Sequence, residues 1–125
     1  MKENKTSETL NLLFICHFNQ MRSRTAECIY SSEPLYQIRS AGTECNGKGK
    51  ITGELLLWAD LIFVMEEEHE TILKEGFSAY TLNKRIVNLD ILDNYYFMEQ
   101  ELVDLIKERV FPYLVFTRVN TKENN

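Results

Sequence analysis

The sequence lacks the features that mark membrane, secreted and disulfide-stabilised proteins. No apolar run in its 125 residues approaches the roughly 20 residues of a membrane span. The first ten residues are polar and contain no apolar segment of the kind that a secretory signal needs. The three cysteines are odd in number and have no C-x-x-C spacing, which supports neither a disulfide framework nor a zinc site. We therefore expect a cytoplasmic protein with no membrane partner and no metal.

The charge of the chain excludes a further class of partner. The formal net charge is −5, and nucleic-acid binding needs a basic face, so we expect no nucleic-acid partner. Apolar residues make up 44% of the chain and charged residues 26%, which is ordinary for a globular protein. We expect residues 1–125 to form a single domain with flexible tails at 1–9 and 118–125. The sequence does not specify an oligomeric state.

Apolar runs of strand length alternate with segments of helical character. The predicted strands are Leu10–Ile15, Leu35–Arg39, Leu61–Met65 and Arg85–Leu89. The predicted helices are Arg22–Ser32, Thr52–Trp58, Glu66–Glu75 with Gly76 as its cap, and Met98–Leu114. This alternation predicts right-handed βαβ units. We therefore expect an α/β fold in which a four-stranded parallel sheet carries helices on both faces.

The stretch 11–29 has the chemistry of an oxyanion site. Its apolar run predicts a buried strand that delivers Cys16 to a five-residue loop, after which Arg22 begins a helix. The unpaired N–H groups and the positive dipole end of a helix start stabilise a thiolate and bind an anion such as phosphate. The Arg22 guanidinium offers a bidentate fork to the same anion. The pattern predicts a nucleophile, Cys16, at the base of a phosphate cradle.

The remaining residues of this stretch are candidates to bind the phosphate or to support the loop. The predicted phosphate-binding loop residues, which offer backbone N–H groups, are His17, Phe18, Asn19, Gln20 and Met21. Asn19 also tolerates a left-handed backbone and can brace the loop from the side. Ser23 either donates a hydrogen bond to the thiolate or caps the helix. His17 either favours the thiolate electrostatically or is an exposed loop histidine.

This stretch resembles the low-molecular-weight protein tyrosine phosphatase family. The resemblance is carried by Cys16-x5-Arg22-Ser23, by Asn19 within the loop and by Thr25-Ala26-Glu27 after it. It extends to Ser40–Thr43, Trp58–Met65 and Asp90–Tyr96, and it is closest to a short branch of predicted tyrosine phosphatases. The resemblance implies a phosphotyrosine phosphatase I-like fold. It also implies a cysteine-dependent phosphomonoester hydrolase that forms a phosphocysteine intermediate, acts on a phosphorylated protein or a small aryl phosphate, and needs no cofactor.

The resemblance also implies a general acid. In the family, an aspartate in an Asp-Pro-aromatic loop protonates the leaving group. The matching segment of this chain puts Asp93 at the acid position, with Asn94 where the proline is usual, and Asp90 is the competing candidate. Tyr95 and Tyr96 would either wall the pocket and stack on an aryl group or pack the loop onto the core.

Two alternative functions stay open at this point. Arsenate reductases share the loop but recruit further thiols, and this chain has no cysteine beyond Cys45. A phosphate- or phosphoprotein-binding module with little turnover is favoured by Asn94 and by Met21, which stands where many relatives have a protective second cysteine. Of the residues outside the site, Cys28 is expected in the core and His69 on a solvated helix face.

Overall fold

The strands and helices of the computed structural model follow the predicted order. The structure describes residues 9–45 and 47–123, with side chains up to residue 114. The strands are β1 (Leu10–Cys16), β2 (Tyr36–Gly42), β3 (Leu61–Val64) and β4 (Arg85–Asn88). The helices are α1 (Arg22–Tyr30), α2 (Gly53–Trp58), α3 (Glu67–Gly76), α4 (Ser78–Thr81) and α5 (Gln100–Glu123). The short helix α4 has too few residues to show a periodicity, and the sequence did not predict it.

The four strands form one parallel sheet in the order β2-β1-β3-β4. This arrangement confirms the predicted sheet. All seven residues of β1 are buried, because the strand lies between two neighbours and has helices above and below it. Since the strands are parallel, their carboxyl ends meet at one edge of the sheet, where sites in α/β proteins are found.

Successive residues of β1 point to opposite faces of the sheet and enter two separate cores. Leu12 and Phe14 pack with residues of α1 and α5, while Leu13 and Ile15 pack with residues of α2 and α3. The first core includes Ala26, Tyr30, Leu102, Ile106 and Val110, and the second includes Leu56 and Leu73. Helices therefore cover both faces of the sheet, as predicted.

Several predicted helix ends were wrong. Helix α1 stops at Tyr30 rather than at Ser32. Gly76 is the last residue of α3 rather than its cap, because the N–H of Phe77 closes the helix on the carbonyl of Leu73 at 3.0 Å. Met98 has a φ of 62°, which a helical residue cannot adopt, so α5 begins only at Gln100.

Helix α5 extends to Glu123, beyond the predicted end at Leu114. Of the predicted tails, residues 1–8 and 124–125 lie outside the described residues, and 118–123 fall within α5. Among the described residues, no helix combines the length and the apolar composition that crossing a bilayer requires.

Candidate active site

The loop from Cys16 to Arg22, called here the Cys16–Arg22 loop, connects the end of β1 directly to the start of α1. Asn19 has the left-handed backbone that its residue type predicts, with φ of 57°. Met21 is the N-cap of α1, and no side chain caps this helix start, so Ser23 is not the cap. The first N–H groups of the helix are therefore left for an oxyanion bound within the loop.

The Cys16 thiol lies in a hydrogen-bond chain with Ser23 and Asn19. Its Sγ is 3.0 Å from Ser23 Oγ, which in turn lies 2.8 Å from Asn19 Oδ1. When Cys16 is ionised, the sulfur can only accept, so the Ser23 hydroxyl must donate to it, and the Asn19 amide must turn to donate to the Ser23 oxygen. In the structure the Ser23 hydroxyl donates to Asn19 Oδ1, so donation to the thiolate stays a prediction that requires the Asn19 amide to rotate.

Arg22 is buried, and one nitrogen of its guanidinium group, Nη1, is bound by the protein. Its exposed fraction is 1%. Its Nη1 lies 2.6 Å from Glu66 Oε2 and 2.6 Å from the carbonyl oxygen of Ile91, so both Nη1 hydrogens have acceptors. The opposite edge, formed by Nε and Nη2, is the one left for an oxyanion. The Nε is 3.9 Å from Asp93 Oδ1.

Glu66, which the sequence did not single out, positions Arg22. It follows β3 and caps α3 in a reciprocal capping box: its side chain accepts from the His69 N–H, and its own N–H donates to His69 Nδ1. Burial opposes the charge of Glu66, but the hydrogen bond and charge of Arg22 outweigh it and hold the pKa of Glu66 below its usual range. The sequence carries no standard capping-box pattern here, because a glutamate and a histidine take the places of the usual hydroxyl residue and Glu or Gln.

His69 was predicted on a solvated face, and this was wrong, because the side chain is fully buried beside the Cys16–Arg22 loop. Burial, followed by the charges of His17 and Arg22, lowers its pKa to about 4. His69 is therefore neutral near pH 7. Since its Nδ1 accepts the Glu66 N–H, its proton is on Nε2, which lies 3.2 Å from His17 Nδ1 and donates to it.

His17 is consequently not a free loop histidine. The His69 bond turns its Nε2 toward the carboxylates of Glu66 and Glu68, at 3.9 Å from each. Ligand atoms of His17, Glu66 and His69 lie within 4.8 Å of one another. Both ring nitrogens of His69 are engaged, however, and Arg22 already occupies the Glu66 carboxylate. The three residues therefore fit a positioning network better than a metal centre.

The segment after β4, called here the 89–98 loop, is fastened at both ends. Arg109 Nη1 donates to the carbonyl oxygens of Leu89 at 2.8 Å and Asp90 at 2.6 Å. At the other end, the Met98 N–H donates to Thr25 Oγ1 at 2.9 Å. These contacts place Asp93, in the middle of the loop, above the Cys16–Arg22 loop.

A cavity of about 160 Å³ brings the three predicted catalytic residues together. Its lining residues are Cys16, His17, Phe18, Gln20, Met21, Arg22 and Asp93. Asp90 does not line it, and has an exposed side chain and a φ of 57°. Tyr95 and Tyr96 line a neighbouring cavity that shares Met21 and Asp93 with the first. The two tyrosines thus flank the Cys16 cavity rather than line it.

The Cys16–Arg22 loop is supported from behind by the residues that follow β2. The Thr43 N–H donates to the carbonyl of Cys16 at 2.9 Å, and the Glu44 N–H donates to that of His17 at 2.6 Å. Cys45 Sγ donates to the carbonyl of Phe18 at 2.8 Å, and burial, with Cys16 nearby, raises the pKa of the Cys45 thiol.

Cys28 is exposed, so its predicted place in the core was wrong. The buried face of α1 is instead the face that carries site residues. Its buried members are Arg22, Ser23, Thr25, Ala26 and Tyr30. Its polar members face inward because each has a hydrogen-bond partner there. Ser23 contacts the Cys16–Arg22 loop, Arg22 contacts the end of β3 and the 89–98 loop, and Thr25 contacts the 89–98 loop.

We expect Gly42→Ala to destabilise the protein and to weaken phosphate binding. A β-carbon at Gly42 would lie 2.6 Å from the carbonyl oxygen of His17 and 2.8 Å from the Asn19 nitrogen, and the backbone can yield only by displacing the loop. The free energy of unfolding, measured by denaturant titration, should fall by about 1–3 kcal/mol.

Gly76→Ala is the matched control for this substitution. A β-carbon at Gly76 meets nothing within 4 Å, and the residue is helical and exposed. Alanine there should raise the free energy of unfolding by about 0.5–1 kcal/mol. Equal effects of the two alanines would contradict the close approach at Gly42.

Neither a protein-family model nor a curated protein sequence matches this chain. Solved structures do match it over most of its length. The YwlE arginine phosphatase from Geobacillus stearothermophilus is 18% identical, with a TM-score of 0.71 over 90% of this chain and 97% of its own. The tyrosine phosphatase Wzb from Escherichia coli K30, solved with sulphate, is 20% identical, with a TM-score of 0.64 over 87% of this chain and 99% of its own.

A third match has the same fold. The low molecular weight protein tyrosine phosphatase SP-PTP from Streptococcus pyogenes is 18% identical, with a TM-score of 0.65 over 86% of this chain and 92% of its own. At these identities the likeness concerns the fold. It confirms the predicted low-molecular-weight phosphatase fold for this chain.

Proposed function

We propose that this protein is a cysteine-dependent phosphomonoester hydrolase of the protein tyrosine phosphatase type. The observation that carries the proposal is the convergence of Cys16, Arg22 and Asp93 on one small cavity. Its substrate is a phosphorylated protein or a small aryl phosphate. The tyrosine phosphatases among the structures of the same fold support this reaction class.

In the proposed first step, the Cys16 thiolate attacks phosphorus. The Ser23 hydroxyl, 3.0 Å from the sulfur, stabilises the thiolate until the P–S bond forms. The Nε and Nη2 groups of Arg22 and the backbone N–H groups of the loop hold the phosphoryl oxygens, where negative charge is concentrated in the transition state. The P–O bond to the substrate breaks, and Asp93 gives its proton to the departing oxygen.

In the second step, water hydrolyses the phosphocysteine. Asp93, now ionised, takes a proton from the attacking water, the P–S bond breaks, and the thiolate leaves with its electron pair. Phosphate is released and Cys16 is ready for another cycle. Side chains of this chain and water carry every proton and electron pair in the two steps.

The direct test is steady-state hydrolysis of para-nitrophenyl phosphate at about pH 6. Steady release of nitrophenol and phosphate, with a phosphorylated protein trapped by rapid acid quench, supports the proposal. Phosphate binding without turnover would replace it with the binding-module function. Arsenate-dependent oxidation of the thiols would favour the reductase. Hydrolysis of phosphoarginine but not of the aryl ester would show that the protein cleaves a phosphorus–nitrogen bond.

We expect Asp93→Asn to lower kcat by about 10²–10⁴-fold, because the leaving group then departs without a proton. The loss should be greater for phenyl phosphate than for para-nitrophenyl phosphate, since phenol is the poorer leaving group. Rates for both esters with the native protein and the variant provide the measurement.

Asp90→Asn is the matched control, because Asp90 lies on the same loop but outside the cavity. Its left-handed backbone also suits asparagine. We expect its kcat to stay close to the native value. If Asp90→Asn is the impaired variant, the acid has been assigned to the wrong aspartate.

A further inference from the structure

The mouth of the Cys16 cavity has charges of opposite sign on its two sides. On the α3 side, the exposed carboxylate of Glu68 lies 3.9 Å from His17, while that of Glu66 is paired with Arg22. On the other side, a groove of about 580 Å³ carries Arg24 and Lys48 against a single acid, Glu27. The chain as a whole has a formal net charge of −5. A groove with more cations than anions is therefore contrary to the overall composition.

This groove continues from the Cys16 cavity, because Phe18 and Gln20 line both. The remaining lining residues of the groove are Asn19, Arg24, Glu27, Ser40, Cys45, Lys48 and Gly49. Its volume is several times the 160 Å³ of the cavity, which has room for a phosphoryl group and little more. A substrate longer than a simple ester would therefore extend over Phe18, whose exposed fraction is 54%, into this groove.

Lys48 lies in a tight turn that contacts the Cys16–Arg22 loop. The turn is closed by the Lys50 N–H on the carbonyl of Gly47 at 3.1 Å, and Gly47 and Gly49 have φ of 67° and 86°. A β-carbon at Gly49 would lie 3.1 Å from the Asn19 side-chain nitrogen, so the turn is in close contact with the loop. The turn thereby places Lys48, whose side chain is exposed, along the groove.

The two cations of the groove differ in how they are already engaged. Arg24 Nε lies 3.4 Å from Glu27 Oε1, and Glu27 also accepts from Ser40. Within the described part of the chain, Lys48 forms no ion pair with a carboxylate. Lys48 is therefore the cation with its charge available to a substrate.

We propose that the groove binds acidic residues that flank the phosphorylated residue of a polypeptide substrate, with Lys48 as the main contact. This inference rests on the proposed function and names the substrate class of the same site. An extended peptide advances about 3.3 Å per residue, so acidic side chains one to three positions from the phosphorylated residue reach the groove. The acidic side of the mouth repels the same residues and so fixes the direction in which the peptide lies.

The test compares two phosphotyrosine peptides that differ only in having glutamate or glutamine beside the phosphotyrosine. With the native protein at low ionic strength, we expect kcat/KM to be about 3- to 10-fold higher for the acidic peptide. Raising the salt from about 25 mM to about 300 mM should reduce the ratio toward one, because exposed charges are screened. Each kcat/KM value is divided by the same variant's kcat/KM for para-nitrophenyl phosphate before variants are compared.

Lys48→Glu should invert the preference, so that the glutamine peptide becomes the better substrate. Lys107 is an exposed lysine on α5 outside the groove, and Lys107→Glu should keep the native ratio. Equal rates for the two peptides, or an acidic preference that Lys48→Glu does not change, would overturn the inference. If the protein hydrolyses none of these esters, the proposed function fails by itself. In that case the acidic and neutral peptides are compared by their dissociation constants, measured with fluorescent peptides and the Cys16→Ser variant.

Discussion

Cys16→Ser is expected to abolish hydrolysis of aryl phosphates, with a loss of about 10⁴-fold or more in kcat. A serine hydroxyl at this position is almost entirely protonated, and the Ser23 and helix-start donors that stabilise a thiolate do not make it a comparable nucleophile. The substitution removes no large group, so the fold and the phosphate cradle should survive. The measurement is steady-state turnover together with the affinity for inorganic phosphate.

Cys28→Ser is the matched control, because Cys28 is exposed on α1 and its side chain has no part in the site. Its turnover should equal that of the native protein. Substantial activity in Cys16→Ser would mean that another group attacks phosphorus. Loss of phosphate binding along with turnover would mean that the substitution had disrupted the loop rather than removed the nucleophile.

Arg22→Lys is expected to lower kcat/KM by about 10³–10⁵-fold, although the positive charge is kept. One Nη1 of Arg22 satisfies both Glu66 and the carbonyl of Ile91 while the opposite edge faces the substrate. A lysine ammonium is a single point with three hydrogens. It cannot contact both protein acceptors and also offer a planar fork to two phosphoryl oxygens.

The same comparison should be made with Arg39→Lys, since Arg39 stacks on Trp58 at the sheet edge and lies outside the cavity. That variant should keep its native rate.

The assay at about pH 6 lies above the pKa of Glu66, which Arg22 depresses. The stability that this pair contributes is lost only as the pH falls through the depressed value, so the ion pair is intact under assay conditions. A rate for Arg22→Lys close to native would show that charge alone suffices at this position.

The sheet and the core of the site were predictable because both depend on local patterns. Unbroken apolar runs identified strands that are buried on both faces, and the alternation with helices implied that they are parallel. Cys16, Arg22 and the two aspartates after β4 could be placed together because the loops after parallel strands share an edge, and the family resemblance then selected Asp93 over Asp90. Asn19 could be assigned a left-handed backbone because few other residue types adopt it.

The support of Arg22 could not be predicted in the same way, because it joins three segments that are distant in sequence. The parallel sheet places the end of β3 at the edge that also holds Arg22, but nothing in the sequence selects Glu66, the first of three consecutive glutamates, as the residue that contacts it 44 residues away. His69 was placed in solvent because its neighbours are glutamates, yet the capping box turns its ring inward. The prediction for Cys28 was wrong for a related reason, since the inward face of α1 combines core residues such as Ala26 and Tyr30 with polar residues of the site, and Cys28 lies outside that face.

The burial of β1 has a consequence for the unfolded chain. Its sequence, LNLLFIC, contains no charge and no proline, and every residue is covered in the native state. Segments of this length and composition pair readily with copies of themselves when they are exposed. We therefore expect the strand that places the nucleophile to be the segment through which the unfolded protein aggregates.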